Sequence, residues 1–180
     1  MKRLLPLALL ALAACDPMIW SDAPLFTASG GQPRPGLWAV LEDGCTSPAT
    51  AAVEDWPPCA APVWIRDDRL TVMMMNPARS QYVLAEGAPA VLQLSEPEGG
   101  DPAEGERPSY TYVAVAPDGP APYTRGRVWT STPCPPDAAA VAGIQGDEDD
   151  CRARTADAVR AVLKAATAAE PGRRIVWVAP

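Results

Sequence analysis

The chain contains five cysteines and no histidine, and these two facts limit the chemistry that its side chains could perform. Without histidine, Ser-His-Asp and Cys-His catalysis are excluded in their ordinary forms, as are metal sites that need an imidazole ligand. The sequence also lacks a GxSxG motif, a Walker A motif and the glycine pattern of dinucleotide-binding folds. Catalysis by two carboxylates stays open, because sequence spacing does not show which carboxylates meet in space.

Two clusters of residues have side chains that bind metal ions in other settings. The acidic run Asp147–Asp150 could hold calcium, which takes several oxygen ligands, or could form the start of a helix. The run Met73–Met75 could suggest copper(I), but neighbouring side chains of a strand point to opposite faces. We therefore expect a helix start and core packing, with no metal and no cofactor.

The first residues have the pattern of an export signal. Lys2 and Arg3 precede an apolar run over residues 4–12, which is too short to span a bilayer and ends in small residues. The sequence Leu12-Ala13-Ala14-Cys15 resembles the lipobox of bacterial lipoproteins. That resemblance implies cleavage after residue 14 and attachment of diacylglycerol to the Cys15 thiol. An ordinary secretory signal is the alternative.

The lipobox resemblance also implies a location, in the cell envelope facing the periplasm, with the lipid bilayer as partner through acylated Cys15. Asp16 favours the inner membrane by the enterobacterial rule, and the choice of membrane stays open. Residues 15–35 are rich in Pro, Gly, Ser and Ala, which predicts a flexible tether before a single domain over residues 36–180. Met18, Ile19 and Trp20 could rest on lipid or dock on this domain.

The charge of the chain limits its partners. The formal net charge of −7 argues against nucleic acid, since that partner needs a basic surface. Arg125 and Arg127 fall on one face of a predicted strand, where they either bind an anion or stay solvated.

Four further cysteines, after Cys15, predict two structural disulfides in an exported protein. Three pairings are possible, and we favour the two that close local loops around proline-rich sequence. Zinc is excluded because the spacings lack close CxxC pairs. The favoured pairs are Cys45–Cys59 and Cys134–Cys151.

Apolar alternation predicts short strands joined by tight turns, followed by one late helix. The helix is expected over residues 149–169, with Asp149 or Asp150 as its cap and Cys151 on its apolar face. The fold class is mainly β with one C-terminal helix (α+β), arranged as an antiparallel meander or a small β-barrel stapled by disulfides. The predicted strands cover residues 36–41, 62–65, 69–75, 81–85, 90–94, 109–116, 123–132 and 174–178.

A short match to a second family concerns the first strand. Gly36-Leu37-Trp38 resembles the Gly-x-Trp of the first lipocalin strand, and a late helix followed by a strand is also similar to lipocalins. This resemblance implies a barrel with a cavity for a small ligand. The candidate cavity residues, which could equally fill the core, are Trp38, Trp64, Tyr112 and Trp129.

The sequence therefore predicts a non-enzymatic binding or interaction module of the cell envelope. One form of this role is inhibition of a basic enzyme such as lysozyme, which an acidic surface would suit. The first alternative is a lipocalin-like binder of a small apolar ligand. The second is a hydrolase that uses carboxylates alone.

Overall fold

The computed structural model describes residues 19–48, 51–67, 69–72, 78–95, 109–129, 140–146 and 151–180. Within these ranges the chain forms short strands, one 3-10 helix and one α-helix. The strands are β1 (Trp20–Ser21), β2 (Gly36–Leu41), β3 (Ala60–Arg66), β4 (Arg69–Val72), β5 (Ala78–Ala85), β6 (Ala90–Ser95), β7 (Tyr110–Pro117), β8 (Arg125–Trp129), β9 (Ile144–Gln145), β10 (Arg152–Ala153) and β11 (Arg173–Ala179). The 3-10 helix covers Val53–Asp55 and the α-helix, α1, covers Ala156–Ala169.

Eight of these strands close an antiparallel barrel. Strands β2 to β7 each pair with the next strand along the chain, and β11 closes the barrel between β8 and β2. Such closure leaves no exposed edge among the barrel strands. The predicted mainly β fold with one late helix is confirmed, and of its two arrangements the closed barrel is the one observed.

The start of the helix differs from the prediction. The helix begins at Ala156, and the Thr155 hydroxyl accepts a hydrogen bond from the Ala158 amide at 3.2 Å as its cap. The prediction that Asp149 or Asp150 caps it was wrong. Arg152–Ala153 instead form β10, which pairs with β1 and β9, so strand pairing replaces the first predicted helical turns.

Helix α1 packs against the outside of the barrel. Its apolar stripe includes Val159 and Leu163, which are fully buried against outward-facing side chains of β5, β6 and β7. No helix in the described part of the chain is long and apolar enough to cross a membrane. The buried residues between α1 and the barrel wall form one cluster, which we call the outer core. It contains Ile19, Phe26, Ala85, Val91, Tyr112, Ala114, Ile144, Cys151, Ala153, Ala158, Val159, Val162 and Leu163.

Residues 19–35, which the sequence assigns to a tether, lie against the barrel. Ile19 is fully buried, and β1 pairs with both β7 and β10. Asp22 forms an ion pair with Arg152. The earlier tether residues, 15–18, lie outside the described part of the chain. Of the two expectations for Ile19 and Trp20, docking on the domain is the one that the structure shows.

Candidate ligand-binding site

The interior of the barrel contains a cavity of about 180 Å³. Alternate residues of a strand point to the same face, so each barrel strand turns one side chain in two toward this space. Val113 and Val115 on β7 show the pattern, with Leu92 facing Val113 from β6. The lining residues on the strands are Trp38, Val40, Val63, Ile65, Leu70, Tyr82, Leu84, Leu92, Leu94, Val113, Val115, Pro117, Arg125, Val128 and Ile175.

The surface of this cavity is apolar throughout. The polar atoms of two inward-facing aromatic side chains are directed to backbone carbonyl groups. Trp38 Nε1 donates to the Arg34 carbonyl oxygen at 2.8 Å, and the Tyr82 hydroxyl donates to the Asp67 carbonyl oxygen at 3.1 Å. A bound molecule would therefore meet apolar groups of the described strands, and its stabilisation would come from burial of apolar surface.

Residues 32–35, which we call the mouth segment, run beside Tyr123, and Pro33 among them lines the cavity. The Arg34 amide donates to the Tyr123 carbonyl at 2.8 Å, and the Tyr123 amide donates to the Gln32 carbonyl at 3.1 Å. Further along, Trp177 Nε1 donates to the Pro35 carbonyl oxygen at 3.0 Å. Pro33 and Tyr123, which form an isolated parallel bridge, both line the cavity. The mouth segment therefore forms part of the wall of the cavity.

Among the described residues that line the cavity, one side chain is charged, and it lies at the start of β8. Arg125 Nε is 2.7 Å from Asp118 Oδ2, and the two side chains are 65% and 63% exposed. This exposure places the charges toward solvent, where the ion pair contributes about 0–1 kcal/mol. The aliphatic stem of Arg125 can contact the cavity while its guanidinium stays in water.

The four aromatic residues expected at a ligand cavity lie in different places. Trp38 lines the cavity. Trp64 and Trp129 occupy positions whose side chains face outward: the Arg66 guanidinium lies 5.9 Å from a Trp64 ring centroid, and Trp129 Nε1 donates to the Glu170 carbonyl at 2.8 Å. Tyr112 is fully buried in the outer core. The barrel therefore brings Trp38 alone of these four to the cavity.

Two tyrosines that sequence reasoning did not single out line the cavity instead. Tyr82 alternates with Leu84 on β5, and this pair of inward positions was visible as a strand pattern. Tyr123 lies in the connection between β7 and β8, where strand alternation carries no information. Its position depends on the bridge to Pro33, which no local pattern predicts.

A buried polar cluster holds the chain near β1 against the outer wall. The hydroxyl oxygens of Ser21 and Tyr112 lie 2.6 Å apart, and Ser21 also donates to the Ala23 carbonyl at 2.6 Å. The Gln93 Oε1 atom accepts from the amides of Leu25 and Phe26 at 2.8 and 3.0 Å. Burial raises the pKa of Tyr112. These contacts satisfy buried polar groups, as a structural cluster must.

The cysteines divide between described and undescribed parts of the chain. Cys45 and Cys59 form a disulfide with a Cα–Cα distance of 5.8 Å, as predicted. Cys151 is also disulfide-bonded and fully buried, one residue before β10 rather than on the helix. Cys134, its predicted partner, and Cys15, the predicted lipidation site, lie outside the described residues. Both of these assignments stay predictions.

The two metal alternatives, Met73–Met75 and Asp147–Asp150, also lie outside the described residues. Within the described ranges, no group of three or more His, Cys, Asp or Glu side chains is arranged to hold a metal ion. The apolar cavity is consequently the feature on which a functional interpretation can be built.

Comparison with protein families, curated proteins and solved structures finds no match for this chain. Its function must therefore be argued from the geometry of the barrel. A small closed barrel with an apolar interior is compatible with binding of a small ligand, the role that the lipocalin resemblance implied.

Proposed function

We propose that the protein is a non-enzymatic binder that holds a small apolar molecule inside its barrel. The observation that carries the proposal is the cavity of about 180 Å³ with its apolar surface. The interior of an eight-stranded barrel is just wide enough to be filled by side chains or to hold one small ligand. An apolar cavity of about 150 Å³ accommodates a molecule the size of benzene. We therefore assign a small hydrocarbon-like molecule, or the end of one acyl chain, as the ligand.

The side chains around the cavity support binding rather than catalysis. They are aliphatic and aromatic, and the Tyr82 hydroxyl among them donates to a backbone carbonyl. The guanidinium of Arg125 is paired with Asp118. Such groups provide apolar contact and shape. Recognition of an envelope protein, inhibition of a basic enzyme and hydrolysis by carboxylates stay predictions from the sequence.

We further propose that this binding takes place at the cell envelope, with the protein anchored through acylated Cys15 and facing the periplasm. The lipobox-like sequence before Cys15 supports the anchor, and the Cys45–Cys59 disulfide is typical of an oxidising compartment. Ile19 is fixed in the outer core. Even fully extended, the chain from Cys15 to Ile19 reaches about 14 Å, so an anchored barrel would stay close to the bilayer.

The cavity can be tested by filling it. The neutral single-ring dye dimethylaminobenzonitrile, whose fluorescence rises in apolar surroundings, is titrated into the purified protein, where we expect saturable binding. Val113→Phe adds a ring inside the barrel and should weaken dye binding by about tenfold or more, equivalent to ~1.4 kcal/mol. The matched control is Gln81→Phe, which adds the same ring on the outward, exposed side of β5 and should leave the affinity unchanged.

Two results would contradict the binding proposal. One is the absence of saturable dye binding by the folded unmodified protein. The other is equal loss of affinity in Val113→Phe and Gln81→Phe, which would indicate binding on the surface. The anchor is tested separately, by fractionation of cells that produce Cys15→Ser. We expect the folded variant to leave the membrane fraction, and its retention there would contradict acylation as the anchor.

A further inference from the structure

Two arginines occupy directly opposite positions on the outside of the barrel. Arg127 on β8 pairs with Arg174 on β11 in the antiparallel register. Their neighbours Val128 and Ile175 line the cavity, so the two arginine side chains point outward. The Cβ atoms of directly opposite residues lie about 4.5–5.5 Å apart, and like charges in such positions destabilise a sheet. The pair therefore needs an explanation.

Each guanidinium is held in place by a backbone carbonyl. Arg127 Nη1 donates to the Gly172 carbonyl oxygen at 2.8 Å, and Arg174 Nη2 donates to the Cys45 carbonyl oxygen at 2.5 Å. A carbonyl oxygen orients a guanidinium but does not neutralise its charge. Both residues are exposed, and a guanidinium carries several N–H donors. Donors therefore remain available to a group that approaches from solvent.

Two carboxylates beside these strands form ion pairs with other arginines. Asp118 forms its ion pair with Arg125, and Glu42 lies 3.9 Å from Arg173. In the described ranges, neither Arg127 nor Arg174 has a carboxylate partner. Acidic residues outnumber basic ones by 22 to 15 in the whole chain, so carboxylates are not scarce. The uncompensated charge is therefore a local property of this face.

We propose that Arg127 and Arg174 form a binding site for a phosphate group on the outer wall of the barrel. Arginine recognises phosphate with paired N–H donors, and the two arginines occupy directly opposite positions on β8 and β11. A phosphate monoester carries a charge of about −1.5 to −2 at neutral pH, which matches the two positive charges. Bound phosphate would remove the repulsion between them. The site lies on the opposite side of the barrel wall from the cavity and does not depend on the proposed apolar ligand.

The first test uses inorganic phosphate and the purified protein in detergent micelles at pH 7. Calorimetric titration with sodium phosphate, against sodium chloride at equal ionic strength, should show binding of phosphate alone. Arg127→Gln and Arg174→Gln should each weaken it by about tenfold or more. The matched control is Arg125→Gln, on the same strand but already paired with Asp118, which should change the affinity by less than about twofold.

Two measurements protect this test against simple unfolding. Arg127 and Arg174 contact different segments of the chain, so the two substitutions affect folding independently. Circular dichroism shows which variant remains folded, and only a folded variant gives a valid titration. Phosphorus NMR of the unmodified protein should show exchange of phosphate between its free and bound states. Sulfate should displace the bound phosphate, and chloride should not. Equal responses to phosphate and chloride, or equal losses in Arg125→Gln and Arg127→Gln, would overturn the proposal, because either result indicates diffuse charge.

A second arm distinguishes free phosphate from the phosphate of a lipid headgroup. Cys15→Ser protein, which cannot be acylated at that position, is floated with phosphatidylcholine vesicles that contain or lack phosphatidic acid. Recruitment by phosphatidic acid that is lost in Arg127→Gln assigns the headgroup. Calorimetric binding without recruitment assigns free phosphate. Failure in both arms overturns the site, while the dye titration of the cavity would be unaffected.

Discussion

In the part of the barrel wall that α1 covers, outward-facing side chains are more fully buried than inward-facing ones, which reverses the usual order. On β6, Val91 faces the outer core and is fully buried, while its neighbour Leu92 faces the interior and is half-buried. On β7, Tyr112 on the outside is fully buried and Val113 on the inside is 7% exposed. The outside of this part of the barrel is therefore closed by α1, and the inside is left with free space.

This difference separates what stabilises the barrel from what the barrel can bind. Close packing makes an apolar side chain contribute fully to stability, whereas a side chain that borders a void lacks partner atoms on one side. The outer core is closely packed, with Val159 and Leu163 fully buried. Side chains of the interior border a void. We infer that the contact missing inside is what a ligand would supply.

The largest expected effect comes from removing packing on the outside. Leu163→Ala should lower the free energy of unfolding by about 2–5 kcal/mol, because Leu163 is fully buried in the outer core. Leu92→Ala, the matched change inside, should cost less, since this side chain is half-buried and already borders the cavity. Urea denaturation followed by tryptophan fluorescence measures both.

The same two variants should differ in ligand binding. Leu92→Ala enlarges the cavity and should change which probe sizes bind, whereas folded Leu163→Ala should keep the dye affinity of the unmodified protein. A larger loss of stability in Leu92→Ala than in Leu163→Ala would show that the interior is the main core and would contradict the comparison.

The disulfide between Cys45 and Cys59 is expected to have the next largest effect. It closes a loop between β2 and β3, with a sequence separation of 14, outside the barrel interior. Replacing both cysteines by alanine should lower stability by about 3 kcal/mol on the chain-entropy account. Thermal denaturation measures the loss. Dye binding below the transition should be unchanged, and a folded variant with impaired binding would place this loop in the site.

Much of the barrel could be predicted from local sequence because strand alternation and turn residues are local signals. The pair Tyr82 and Leu84 and the turn at Glu86-Gly87 indicate β5, and the first strand was predicted with the bounds that β2 has. The eight predicted strands correspond to the eight barrel strands, and the late helix follows from the same kind of pattern, whereas β1, β9 and β10 were not predicted. Closure into a barrel rests on the pairing of β11 with both β8 and β2. Because β11 is distant in sequence from β2, no local pattern encodes this pairing.

The cavity residues were harder to predict, because both faces of some strands are apolar. On β7, the run from Tyr112 to Val115 has no polar residue to mark the solvent side. Alternation then divides the run into two sets but does not show which set faces the interior. Tyr112 was assigned to the cavity for its aromatic ring, while the packing of α1 against that face decides its true position.

The smallest expected effect concerns the polar contact that closes the outer wall. Tyr112→Phe removes a hydroxyl 2.6 Å from the Ser21 oxygen and should cost about 1 kcal/mol near neutral pH. The matched control is Tyr110→Phe, at a half-buried position on the same strand face, which should cost less. Urea denaturation at neutral pH measures both.

The pH dependence of the same variant provides a sharper measurement. Burial raises the pKa of Tyr112 in the folded protein, so the folded state keeps this proton at a pH where the unfolded chain, with a tyrosine pKa of about 10, loses it. The contribution to stability is complete below about pH 10 and is lost as the pH rises through the folded pKa. Tyr112→Phe should therefore show a shallower alkaline decline in unfolding free energy than the unmodified protein. Identical declines would show that Tyr112 ionises as easily in the folded barrel as in the unfolded chain, which a side chain sealed under α1 could not do.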